Sequence, residues 1–207
     1  MKKVITEKII LDLHKSGKSK LPLSKDDIIT PLAKDKIKEL KIIIDFLTSE
    51  QIEPHSDLTN IIYIGSDHTG FALKKALKIF LESNGKIVYD LGTYDEKSCD
   101  YPDYAEAVAK KVKSRKDSFG IIIDATGIPS AIAANKIKGI RAATCYNEFT
   151  AWSARNHNNA NILVLGGKTI GEESAKSILS KWLETNFEGG RHQKRLDKIT
   201  KIENDNL

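Results

Sequence analysis

Two hydrophobic periodicities alternate along the chain. After residue 59, short apolar runs recur: NIIYIGS (60–66), KIVYDL (86–91), GIII (120–123), IRAATC (140–145) and NILVL (161–165). Each is rich in β-branched residues and bounded by polar or turn residues, the pattern of a strand covered on both faces. Between them, apolar positions return every three or four residues, as on one face of a helix. Residues 71–84 place Phe71, Leu73, Ala76, Leu77, Phe80 and Leu81 on such a face, and Gly85 stops the helix. A second helix is expected to start near Pro102, with Tyr104, Ala105, Val108, Ala109 and Val112 inward. Further helices are expected at 130–137, 147–156 and 171–186. Strands joined by helical crossovers predict a doubly wound, five-stranded parallel sheet in a three-layer, Rossmann-like α/β sandwich.

A last helix is expected at 191–203, where Leu196, Ile199 and Ile202 stand three apart. That stripe is too narrow to belong to the main core and suits packing on a second subunit. Residues 1–58 follow a different pattern and are expected to form a helical extension, leaving 59–207 as the main domain. Thr6 and Gly17 bracket a short helix, and Ser24-Lys-Asp-Asp27 resembles a capping signal. Thr30-Pro31 reads as an N-cap with proline at the first helical position, and the helix is expected to run to about Leu47. EPHSDLTN (53–60) reads as a linker.

Composition narrows the function classes. With 40% hydrophobic and 29% charged residues, the chain is that of a globular domain, without an apolar run able to span a bilayer. The start lacks the apolar core and cleavage site of a signal peptide, so a cytoplasmic location is expected, with no membrane partner. A net charge of +5 invites a nucleic-acid reading, but residues 1–58 hold eleven lysines against ten acids and no basic stripe with stacking aromatics appears. All five arginines (Arg115, Arg141, Arg155, Arg191, Arg195) come later, and recognition of a small anion suits them better. Cys99 and Cys145 form neither a disulfide framework nor a metal-ligand spacing, so no metal is expected.

Four polar clusters fall at strand or helix ends. GSDHTG (65–70) is not a dinucleotide fingerprint and puts Asp67 and His68 at the end of the first long strand. DATGIPS (124–130) carries Asp124, Thr126 and Gly127 in a turn whose amides suit a developing oxyanion, although Pro129 has no N–H. ARNHNNAN (154–161) holds His157 and Asn158, and GGRHQKR (189–195) sets Arg191 and Arg195 on one helical face. Taken singly, each also reads as a helix cap, a polar loop or a solvated charged face.

From about Asn60 to Glu203 the chain resembles ribose-5-phosphate isomerase B and its galactose-6-phosphate isomerase relatives. The stretches GSDHTGFALK, DYPDYA, the ATGI segment ending in AIAANKIKGIRA, ARNHNNANIL and FEGGRHQKR carry the resemblance. It implies aldose–ketose isomerisation of a phosphorylated sugar through a cis-enediolate. It also implies no cofactor and a homodimer with active sites built from both subunits. By the same resemblance His68, Arg191 and Arg195 would hold the phosphate, and Asp67, Thr126 and His157 would assist ring opening. Tyr101 and Asn158 would line the sugar, and Gly127 and its neighbours would give amides to the enediolate. The position of Asp124 is often a cysteine that moves the proton between C1 and C2, so Asp124 is the candidate base. Ala125 and Pro129 depart from the family's glycines, which keeps open a catalytically impaired sugar-phosphate-binding subunit. The extension resembles segments attached to bacterial microcompartment enzymes, in which TP-x-A-[KR]-D recurs. That implies a shell or scaffold partner, with the isomerase as passenger.

Overall fold

The computed structural model describes residues 4–15, 19–23, 28–46 and 61–206. The chain divides into two compact units, Met1–Asp57 and Leu58–Leu207. The expected capping signal at 24–27, Gly17, Leu47 and the linker at 53–60 lie outside the described residues.

The first unit runs β1 (Val4–Ile5), α1 (Glu7–Lys15), β2 (Lys20–Leu23), β3 (Ile28–Ile29), α2 (Pro31–Glu39) and β4 (Ile43–Phe46). Two helices are present as expected, and two short parallel ladders join them, β1 with β3 and β2 with β4. Thr30 caps α2, its Oγ1 accepting from Ala33 N at 3.3 Å, with Pro31 in the first turn. The helix does not continue to Leu47. It ends at Glu39, Lys41 takes a left-handed φ of 51°, and the chain resumes as β4. The run of three isoleucines in KIIIDF explains the switch, because β-branched side chains lose rotamer freedom in a helix and pack well on a ladder. Ile5, Ile10, Leu21, Ala33, Ile37 and Ile42 form this unit's own core.

The second unit holds β5 (Ile61–Ser66), α3 (Phe71–Ser83), β6 (Ile87–Asp90), α4 (Tyr101–Ser114), β7 (Ser118–Asp124), α5 (Ile128–Ala134), β8 (Ala142–Thr144), α6 (Glu148–Asn156), β9 (Ile162–Gly166), α7 (Glu172–Glu184) and α8 (Arg191–Asn206). The five strands form one parallel sheet in the order β6-β5-β7-β9-β8. β5, β7 and β9 are buried along their whole length, which is why they read as continuous apolar runs. Successive residues serve opposite faces. Ile62, Ile64, Ile121, Ile123, Leu163 and Leu165 pack with α3, α6 and α7, whereas Ile61, Tyr63, Ile122, Ile162 and Val164 pack with α4 and α5. Leu73, Leu77 and Leu81 on α3 are the i, i+4, i+8 stripe that the periodicity predicts. Leu77 is wholly buried, so truncating it to alanine costs about 2–5 kcal/mol. No described helix is long and apolar enough to cross a membrane.

Candidate functional site

β5 sends its crossover to β6 on one side, while β7 lies on its other side. Between the carboxyl ends of β5 and β7 the strand order reverses, and that crevice is where a doubly wound sheet takes its ligand. Asp67 and His68 follow β5, and β7 ends in Asp124. The two turns touch, since Asp67 N donates to Ile123 O at 3.2 Å. Gly70 makes that contact feasible: a Cβ there would sit 2.6 Å from the same carbonyl oxygen.

Asp67 closes its own turn. Its Oδ1 accepts from Thr69 N (2.9 Å), Thr69 Oγ1 (2.6 Å) and Gly70 N (3.1 Å), and its Oδ2 has no partner among the described residues. His68 leans on the loop before α4, with Nδ1 3.2 Å from the amide N of Cys99 and 3.3 Å from its carbonyl O. Tyr101 opens α4 just beyond, half-buried. Lys74, which the sequence reading did not single out, pins this loop. It is 1% exposed, pairs with the Asp90 carboxylate and donates to Thr93 O at 2.6 Å. Its only advance signal was a lysine on the apolar face of an otherwise amphipathic helix.

The turn after β7 differs from expectation. Asp124 is 1% exposed and its carboxylate faces inward, Oδ1 accepting from Thr126 N (2.8 Å) and Gly127 N (2.6 Å), and Oδ2 from Ser130 N (2.9 Å). Ile128 N donates to Thr126 Oγ1 at 3.3 Å, and Pro129 has no N–H. Every amide from Thr126 to Ser130 is therefore spent inside the turn, so Gly127 does not present its amide to the crevice in this conformation. Gly127 is required for another reason. Its φ is +82°, and a Cβ there would meet Thr144 Cγ2 at 2.8 Å.

The remaining candidates gather elsewhere. His157 follows α6, its Nδ1 3.3 Å from Ser153 Oγ, its ring edge-on to Trp152 and stacked on His192 with centroids 4.3 Å apart. Asn158 Nδ2 donates to Ser153 O at 3.1 Å. Arg191 Nε donates to His192 Nε2 at 3.3 Å, and Arg195 is exposed. Desolvation, then the charges of His157, Arg191 and Arg195, hold His192 below the usual histidine range, with Glu188 opposing. Among the described residues no hydrogen bond, ion pair or ring contact joins this group to Asp67, His68 or Asp124. Ligand atoms of His157, Glu188 and His192 lie within 4.8 Å of one another. The two rings are 5° from parallel, so their in-plane lone pairs do not converge on one ion, and the cluster does not suit a metal. Arg155, counted among the anion-binding arginines, is 7% exposed, with its guanidinium stacked on Phe119 and Trp182.

A family model described as Ribose/Galactose Isomerase matches residues 62–199. Ribose-5-phosphate isomerase B of Escherichia coli K12 is 44% identical over 142 residues, covering 69% of this chain and 95% of that protein. Among solved structures, ribose-5-phosphate isomerase B of Clostridium thermocellum superposes with a TM-score of 0.70 at 47% identity, over 71% of this chain and 99% of that one. The Mycoplasma genitalium enzyme, solved with bound ribulose-5-phosphate, gives 0.68 at 45% identity, over 70% and 97%. With the sheet order, the switch-point turns and these likenesses in agreement over the second unit, the chain belongs to the ribose/galactose isomerase family of sugar phosphate isomerases.

Proposed function

We propose that this chain interconverts ribose 5-phosphate and ribulose 5-phosphate through an enediolate. The observation that carries the substrate is the likeness to the Mycoplasma genitalium protein with bound ribulose-5-phosphate, over a stretch that includes both switch-point turns. In this reading His68, Arg191 and Arg195 hold the phosphate, Tyr101 and Asn158 line the sugar, and Asp67, Thr126 and His157 assist ring opening. Asp124 moves the proton between C1 and C2. To do so it has to leave the amides of Thr126, Gly127 and Ser130, and its departure frees those donors for the enediolate oxygen, uniting the two roles of the turn.

The arginine–histidine group and the switch-point group are assigned to one site across a homodimer. Supporting this, Ile199 and Ile202 on α8 are 52% and 64% exposed, and a largely apolar groove of about 610 Å³ runs between β8, α6 and α8. The first unit is assigned a docking role toward a microcompartment shell or scaffold protein, in the cytoplasm, on the strength of its TPLAKD segment. A coupled assay on the full-length chain with ribose 5-phosphate and with hexose 6-phosphates tests the activity. Turnover of the pentose is expected, and Arg191→Ala or Arg195→Ala should weaken binding by about 1.5–3 kcal/mol. Binding without turnover on every sugar phosphate would instead favour the impaired, sugar-phosphate-binding subunit.

A further inference from the structure

The opposite end of the sheet, away from the switch-point turns, carries a second concentration of positive charge. Ser118 opens β7, Arg141 immediately precedes β8 and Asn161 immediately precedes β9. These amino-terminal strand ends wall a recess of about 420 Å³, completed by Lys113, Lys116 and Arg155, and no carboxylate lines it. It therefore gathers four cations without an acid among the described residues.

The two arginines are held so that part of each guanidinium stays uncommitted. Arg155 donates from Nη1 to Asn159 Oδ1 (3.0 Å) and Ala160 O (2.6 Å), and its Nε has no partner among the described residues. Its flat face rests 4.5 Å from the Phe119 ring centroid and 5.3 Å from that of Trp182, which fixes the group's plane. Arg141 donates from Nε to Asn159 O at 2.9 Å, and among the described residues no carboxylate forms a salt bridge with either arginine. Burial, and then the charge of Arg141, push Arg155 down to about 10. Burial likewise lowers Arg141, with Glu203 opposing. Two desolvated cations at one wall are costly unless an anion joins them, and a guanidinium edge with free N–H groups matches a phosphate oxygen pair.

We propose that this recess is a second anion site, separate from the isomerase site, taking the phosphate of a small phosphomonoester between Arg141 and Arg155. Lys113 and Lys116, both exposed, stand at its mouth. The volume leaves room beside the phosphate for an organic portion.

Titration calorimetry of the full-length chain with inorganic phosphate tests the site. The Arg191→Ala/Arg195→Ala variant isolates it from the proposed isomerase site and should still bind phosphate. Adding Lys113→Glu/Lys116→Glu, or Arg141→Gln, to that variant should weaken this binding by at least about tenfold. The lysine changes lie on exposed side chains, so the reversal arm does not depend on a core substitution. Phosphate binding that vanishes in Arg191→Ala/Arg195→Ala, or that persists unchanged through the recess substitutions, would overturn the proposal. Neither result depends on turnover, so a failure here is distinct from a failure of the isomerase reading.

Discussion

Asp124 shows how much one buried carboxylate is asked to do. As found, it caps three amides; as a base, it must release them. Asp124→Asn should lower turnover by about 10²–10⁴-fold while sugar-phosphate binding persists, measured by coupled assay and calorimetry. Asp124→Gly removes the four heavy atoms that close the turn, and should cost about 2 kcal/mol, or roughly 4–8 °C in Tm. Acetate and nitrate both have the planar four-atom shape of the excised group, so both should restore Tm. Only acetate is a base near neutral pH, and only acetate should recover turnover. If nitrate restores turnover equally, Asp124 merely fills the turn. The cysteines divide by environment. Burial pushes Cys145 up to about 11 against a hydrogen bond from Thr150, whereas Cys99 is half-buried. A thiol reagent at neutral pH should modify Cys99 in the folded chain and Cys145 only after unfolding, counted by absorbance; equal native labelling would contradict this. That Asp124 was unusual could be read from its neighbours in the sequence. Where its oxygens point could not, because the direction of each N–H depends on backbone angles such as the positive φ of Gly127.

Elements of the second unit were legible wherever burial imposed a period. β5, β7 and β9 are covered on both faces and appear in the sequence as β-branched runs, and α3 shows its leucine stripe directly. α2 was overextended, because a mixed stretch of lysines and isoleucines satisfies a helical period until the chain meets a ladder partner, here β2. Helix α8 leaves apolar surface unused: Leu196 is buried, but Ile199 and Ile202 are exposed beside the apolar groove. Deleting residues 190–207 should abolish the proposed dimer together with ribose 5-phosphate binding at the isomerase site. Ile199→Asp/Ile202→Asp should shift the chain to monomer in a sedimentation experiment, with the fold retained by circular dichroism. A fully active monomer would remove the reason for assigning the site to two subunits.

At the scale of the whole molecule, the family match begins at residue 62, so the first unit lies outside the isomerase body. It has its own small core, and its removal is expected to leave the second unit folded. A chain lacking residues 1–57 should bind ribose 5-phosphate within about twofold of the full chain, a difference of roughly 0.4 kcal/mol, while losing association with a shell or scaffold protein in a pull-down. Loss of the folded second unit on truncation would make the segment structural. The sequence by itself determined the alternation of strands and helices, the α/β class and the motifs of the family. Each of these is written in local periodicity or in short contiguous stretches, and local sterics and burial are enough to enforce them. Tertiary structure alone decided the order β6-β5-β7-β9-β8 and the inward turn of Asp124. It also separated the late arginines, with Arg141 and Arg155 at the amino ends of the strands and Arg191 beside His192. Those outcomes depend on which distant segments bury one another and on where backbone donors find acceptors, and that free-energy balance is struck over the whole chain at once.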